Sequence, residues 1–390
     1  MFVELDKNYT KGSEALKTLV EQIYYIDRSI IKCDFKGRGV SLEFETDSIV
    51  DEKILNDEII QMSKAVLQSF DRVETKIIFE NDGVGKYNLD PMRELINTKQ
   101  VIETYPGVVA LQGDILKCIS RLDTYFKSYA LEKGAIEQHF QPTLPAKSLV
   151  ENGYIASFPQ HPLFVANVFR DIKNIKALSK DAKEKPINSM HQWLDDRIDT
   201  HKQILSPTVC YHCFETLRNQ TIPVDGSLYT AIAPCHRHES RNISGLSRLQ
   251  TFTMREIIFF GSEDYVETNR NEIQDHCKSY FIDLGLKFRI VTASDPFFTS
   301  GAEAKRIYQS ALALKYEIQT YLPHSDSWIS VASFNNHQQS LVTPYKIGFD
   351  SNSDLYSGCV GYGYERLAYA LFSQFGCDQS SWSMNQKLGY

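Results

Sequence analysis

No apolar run in this 390-residue chain approaches the roughly 18 residues needed to span a bilayer as a helix, which argues against a helical membrane protein. Residues Met1 to Thr10 carry acids and no apolar stretch, so no secretory signal is expected. Positive charge is not in excess. With 42 Lys/Arg against 49 Asp/Glu the formal net charge is −7, and no basic run is longer than a pair, which speaks against a protein that lives on nucleic acid. There is no internal repeat. Cys210-x-x-Cys213 has no second such pair to complete a zinc ribbon. The eight cysteines are dispersed, which fits thiols or metal ligands in a reducing cytoplasm. At 42% hydrophobic and 23% charged residues the chain is not disordered, and its length suits two domains rather than one.

Charge and periodicity divide it. Residues 1–105 hold 14 Lys/Arg against 20 Asp/Glu, leaving the remainder close to neutral. Leu16, Leu19, Val20, Ile23 and Tyr24 form a helical stripe, and Leu55, Ile59, Met62 and Val66 form another. Ser29–Phe35, Gly39–Glu45 and Lys76–Phe79 have strand character, giving an expected α-β-β-α-β module that ends near Asp82-Gly83 and Pro91. Beyond it the spacing predicts a long helix over Val108–Lys133 stopped by Gly134, and an extended stretch over Gly153–Phe158. A helix capped by Ser262 and ended near Gly285 follows, with strands at Phe288–Thr292 and Trp328–Phe334. Helices are expected over Ala302–Leu322 and Gly363–Phe375. Strands and helices mix without regular alternation, which points to an α+β fold.

Two polar clusters stand out. In the first, two expected strands joined by a polar loop present Arg237, Glu239, Arg248 and Phe252 near one another. Guanidinium groups there can bind phosphate and an aromatic face can stack a purine, although a hairpin with a solvated ion-pair network fits the spacing equally well. The second cluster is Gly358-Cys-Val-Gly361-Tyr-Gly363-Tyr-Glu365-Arg366. Its glycines are not those of a dinucleotide fingerprint. They allow close backbone approach to a ligand, or simply a tight turn into a helix with a surface arginine.

Taken together, Arg237-x-Glu239, Arg248-x-x-x-Phe252 and Gly-x-Gly-x-Glu365-Arg366 resemble motifs 2 and 3 of class II aminoacyl-tRNA synthetases. Cys210, Glu256 and Cys359 resemble the zinc ligands of the atypical, methanogen-type seryl-tRNA synthetases and of the amino acid:[carrier protein] ligases related to them. The segments Phe140-Gln-Pro-Thr-Leu-Pro, Gly153-Tyr-Ile-Ala-Ser-Phe-Pro159 and Ser333-Phe-Asn-Asn-His337 are similar to the ligases in particular.

This resemblance implies a class II antiparallel sheet flanked by helices over residues 106–390, behind a small acidic α/β module over residues 1–105 whose role it leaves open. It implies ATP-dependent activation of a small amino acid as the adenylate, and transfer to the phosphopantetheine thiol of a carrier protein. By analogy Arg237 holds the α-phosphate and carboxylate, Arg248 reaches the outer phosphates, Phe252 and Arg366 sandwich adenine, and Glu239 accepts from its amino group. Zn²⁺ on Cys210, Glu256 and Cys359 takes the substrate's α-amino group; a Cys/Glu/Cys set with one open position suits such a site. ATP brings Mg²⁺, yet where class II enzymes often place an acid near the strand Trp328–Phe334 this chain has Ser330 and Ser333, leaving Asp295 and Glu317 as possible substitutes. A cytoplasmic homodimer pairing through a motif 1 near Phe140–Tyr154 is expected, with no membrane and no tRNA as partner. The alternatives are a zinc-dependent seryl-tRNA synthetase-like enzyme and, more weakly, an inactive paralogue acting as a binding protein. The acidic charge of residues 1–105 favours the carrier ligase over the tRNA enzyme.

Overall fold

The computed structural model describes residues 1–5, 14–46, 48–72, 75–293, 309 and 312–382. Its N-terminal part has its own apolar core. Leu16, Leu19 and Ile23 on the helix Glu14–Ile23, and Leu55, Ile59 and Val66 on the helix Glu52–Arg72, bury against Val3, Ile30, Val40 and Leu42. Those last four lie on a three-stranded sheet ordered Phe2–Glu4, Gly39–Phe44, Ile30–Lys36. Both stripes expected from the sequence therefore form. The strand expected to close this module does not stay with it: Ile77–Asn81 pairs antiparallel with Phe288–Thr292 of the main sheet.

That main sheet has eight strands. Their order is Ile77–Asn81, Phe288–Thr292, Lys315–Leu322, Ser327–Gln338, Tyr356–Gly363, Thr251–Gly261, Ser227–His236 and Ile136–Glu137. Every neighbouring pair is antiparallel except the last. Helices Gly113–Glu132, Glu263–Asp283 and Tyr364–Phe375 cover one face, where Phe126, Phe281, Leu367, Leu371, Ile257, Phe259, Val360 and Tyr362 form the main core. The central strands Thr251–Gly261 and Tyr356–Gly363 are largely buried on both faces, and alternation assigns each residue to one of them. On Thr251–Gly261 the residues Ile257 and Phe259 face the helices, whereas Ile258 and Phe260 pack with Cys210, Phe214, Tyr345 and Cys359 on the opposite side. The α+β architecture expected from the sequence is thus present.

Three further local expectations are corrected. The segment Val108–Leu111 is not helix; it pairs with Val101–Tyr105 as a hairpin, and the helix begins at Gly113. Both runs are rich in β-branched residues, which helical spacing alone conceals. Gly153–Phe158 is not extended: Gly153 takes φ of 75° and Tyr154–Ser157 forms one helical turn. Lys315–Leu322, expected at the end of a helix, is a strand between Phe288–Thr292 and Ser327–Gln338. The rest of that expected helix, residues 302–311, lies outside the described residues apart from position 309, as does Asp295. The Ser262 cap is confirmed, its hydroxyl accepting from the Tyr265 amide at 3.2 Å.

Among the described residues no helix is long and apolar enough to cross a membrane. All eight cysteines are unpaired and buried.

Candidate active site

Strand Thr251–Gly261 is the axis of the site. Its residue Glu256 lies opposite Gly361, and Ile258 opposite Cys359, so Glu256 and Cys359 are diagonal neighbours on the face away from the helices. Cys210 opens the short helix Cys210–Thr216, which packs over that face. The ligating atoms of Cys210, Glu256 and Cys359 all lie within 4.8 Å of one another, and all three residues are buried. The Glu256 carboxylate is fixed by the amides of Val209 and Cys210, each at 3.0 Å, and by the Thr208 hydroxyl. Asn335 Nδ2 at 3.5 Å and His337 Nε2 at 3.4 Å lie against Cys359 Sγ.

Electrostatics mark these groups as strained by burial. Glu256 is pushed up to about 7 by burial and by the neighbouring Cys359. In the coupled thiol pair, a hydrogen bond from Cys210 holds Cys359 well below the usual thiol range, while burial pushes Cys210 up. Two thiols, one already favouring the thiolate, together with a carboxylate are the donor types Zn²⁺ takes, so the residues present fit the metal the resemblance implies.

Gly361 explains part of the glycine-rich run. It sits on the same face between Glu256 and Ser333, and a Cβ there would come within 2.7 Å of Met254 Cε and 3.5 Å of Glu256 Cγ. The floor beside the three donors is closed by the Met254 methyl, which packs where a side chain at 361 would lie, so only a residue without one fits there.

The arginines converge next to it. Arg237 follows the strand Ser227–His236; its Nε donates to the Pro207 carbonyl at 3.1 Å and its guanidinium lies 5.1 Å above the Phe252 ring. Arg248 Nε donates to Glu239 Oε2 at 2.7 Å. Arg366, in the first turn of the last helix, donates to the carbonyls of Ser247 at 2.6 Å and Ser330 at 3.3 Å. Burial and then the charges of Arg248 and, further down, Arg237 push Arg366 below the usual guanidinium range, so the three cations share one field. Burial works to raise Glu239, but Arg248 and Arg237 overcome it and hold its carboxyl below the ordinary value. Glu365 accepts the Thr253 amide in both carboxylate oxygens, at 2.8 and 3.0 Å, and so ties the last helix to the axial strand.

The three donors and Arg237, Glu239, Arg248, Phe252 and Arg366 are therefore neighbours in one region, while Asp295 lies outside the described residues. Several neighbours were not singled out. Tyr154 Oη lies 3.4 Å from His161 Nδ1, and His161 is pushed down to about 4 by burial and then by Arg237. Nothing in the residue pattern marks His161. By contrast, Ser333, Asn335 and His337 belong to a segment quoted above for its likeness to the ligases, and their alternation along one strand sets them on one face. Glu317 lies opposite Ser333, accepts from the Ser330 hydroxyl and pairs with Lys315 at 3.1 Å. A bulge at Val331 brings Ser330 and Ser333 to the same carboxylate, because Ala332 pairs with Ile318 and Ser330 with the next residue, Gln319.

An antiparallel sheet with an arginine and a glutamate just past the end of one strand, a phenylalanine on the next and an arginine at the head of the last helix is the arrangement of a class II synthetase core. The profile of the tRNA synthetase class II core domain (G, H, P, S and T) matches residues 193–375. Amino acid--[acyl-carrier-protein] ligase 2 of Bradyrhizobium diazoefficiens is 30% identical over 284 residues, covering 71% of this chain and 80% of that protein. The chain belongs to this amino acid--[acyl-carrier-protein] ligase family. It is also similar to the type-2 serine--tRNA ligase of Methanopyrus kandleri, 23% identical over 345 residues, covering 83% of this chain and 64% of that one. The M. kandleri SerRS crystallised with A. aeolicus tRNASec shares the fold, with a TM-score of 0.70 at 19% identity over 100% of this chain and 77% of its own.

Proposed function

We propose that the protein joins an amino acid to ATP as the aminoacyl adenylate and passes it to the phosphopantetheine thiol of a carrier protein. The observation that carries this reading is a Cys/Glu/Cys donor set beside three partly buried arginines that share one field. The substrate carboxylate oxygen attacks the α-phosphorus and pyrophosphate leaves; the carrier thiol then attacks the carbonyl carbon, releasing AMP and a proton. Both steps call mainly for positioning and fixed positive charge. Arg237 holds the α-phosphate and the carboxylate, Arg248 the outer phosphates, and Arg366 faces Phe252 across adenine with Glu239 at its amino group.

Cys210, Glu256 and Cys359 hold Zn²⁺, which when bound supplies an open position for the substrate's α-amino group. The substrate is a small amino acid, as the resemblance to the ligases implies. Glu317, which accepts from the hydroxyl of Ser330 while Arg366 holds the Ser330 carbonyl, would serve the Mg²⁺ of ATP. The active form is a cytoplasmic homodimer pairing through Phe140–Tyr154, and sedimentation at twice 44.7 kDa tests it.

The likeness to a tRNA-bound synthetase over the whole chain supports a second reading, in which the acceptor is tRNA. One experiment separates them. Labelled amino acid and ATP are offered with holo carrier protein, apo carrier protein and bulk tRNA. Label on the holo carrier alone is expected; charged tRNA beside an unmodified carrier reverses the choice.

A further inference from the structure

Arg248 carries two carboxylates, and they come from different parts of the chain. One is Glu239, buried and only nine residues away. The other is Glu21, on the helix Glu14–Ile23 of the N-terminal module. The same loop is held twice more by that module. Asn242 Nδ2 donates to the Glu21 carbonyl at 3.2 Å, and Arg241 pairs with Glu45 at 2.9 Å. Tyr25, one turn beyond Glu21, is pushed up to about 12 by burial and by Glu239, which places it in the same contact.

A guanidinium offers a limited number of edges to oxyanions. With Glu239 on one and Glu21 on another, Arg248 cannot also take the outer phosphates of a nucleotide in the same geometry. Glu21 is the one able to leave. Its side chain is 43% exposed, against 7% for Glu239, and it belongs to a module with a separate apolar core. That module is also where the chain's net negative charge resides, 20 acids against 14 basic residues over positions 1–105. A triphosphate, carrying several charges, outcompetes one half-exposed carboxylate.

We propose that the acidic N-terminal module is an intramolecular competitor of ATP: Glu21 occupies Arg248 where the outer phosphates bind, and nucleotide binding releases it. The proposal rests on the assignment of Arg248 made above. It gives the module a role in setting nucleotide affinity, and it distinguishes ATP from AMP, which has no outer phosphates to contest the arginine.

The test uses the full chain and two probes, α,β-methylene-ATP and AMP, titrated calorimetrically into the wild type and Glu21→Gln. The variant is expected to bind the ATP analogue about two- to fivefold more tightly, the scale of a partly exposed ion pair, with AMP affinity unchanged. Glu45→Gln loosens the module without touching Arg248 and is expected to shift the analogue in the same direction by less. Hydrogen exchange over residues 14–23 should quicken when the analogue binds. Weaker or unchanged analogue binding by Glu21→Gln, or an equal change for AMP, overturns the proposal. If the wild type binds neither nucleotide, or Arg248→Ala binds the analogue as the wild type does, the assignment of Arg248 itself falls.

Discussion

Arg255 and Asp123 form an ion pair behind the site, Nε to Oδ1 at 2.5 Å, with the Arg255 side chain only 1% exposed. Arg255 adjoins Glu256 on the axial strand but points to the opposite face, toward the helix Gly113–Glu132. Asp123 also accepts from Tyr364 Oη at 2.9 Å, and Arg255 donates to Thr230 Oγ1 at 3.1 Å. One carboxylate therefore joins a strand and two helices directly beneath Glu256.

Removing it leaves a buried guanidinium without its main counter-charge. Asp123→Ala is expected to lower unfolding stability by about 3–5 kcal/mol, the usual cost of breaking a buried pair by deleting one partner. Urea denaturation measures this. A loss within the range of surface substitutions, below about 1 kcal/mol, would show that the pair is not structural.

The donor set gives a prediction about metal content. Purified protein should carry stoichiometric zinc, and Cys359→Ser should lose it while keeping the fold. Because the buried Glu256 holds its proton up to about pH 7 when no metal is bound, zinc affinity should fall as the pH drops below that value. Elemental analysis and chelator competition across pH 6 to 8 check both; a metal-free, fully active enzyme counts against the assignment.

His161 sets an acid limit. Burial, with Arg237 beside it, takes its folded value down to about 4 from 6.5, so between these pH values the unfolded state binds more protons. The stability linked to neutral His161 is complete above pH 6.5 and is lost as the pH falls toward 4, amounting to about 3 kcal/mol. Wild type should therefore lose more stability than His161→Gln between pH 7.5 and 4.5. Parallel losses in the two proteins would remove His161 from the account.

Gly361 should discriminate between substrates. A methyl group there meets Met254 and Glu256, so Gly361→Ala is expected to raise the KM for the amino acid by about tenfold or more with little change for ATP. Pyrophosphate exchange with each substrate varied in turn reads this directly. Equal effects on both would mean that the floor is not an amino acid subsite.

Much of this site was legible because its residues occur in tight sequence strings. Arg237, Glu239, Arg248 and Phe252 span one strand pair, and Glu365 with Arg366 opens one helix, so short-range spacing carried the information. Residues brought in by long-range contact left no such trace. Glu21 reaches Arg248 across more than two hundred positions, and Asp123 reaches Arg255 across 132. The fold was legible where apolar periodicity was unambiguous, as in Leu16, Leu19 and Ile23. It was misread at Lys315–Leu322, where Ile318 and Leu322 sit four apart as in a helix yet bury from one face of a strand.

The bulge at Val331 makes chain length a functional quantity. Deleting one residue between Ser330 and Ser333 would restore regular pairing and rotate one hydroxyl away from Glu317 without altering the chemical identity of any site group. Adding one would swing Asn335 and His337 off Cys359 toward the helical core. In this strand an insertion or deletion is equivalent to several simultaneous substitutions, so tolerance to mutation here should be far greater for residue type than for residue count.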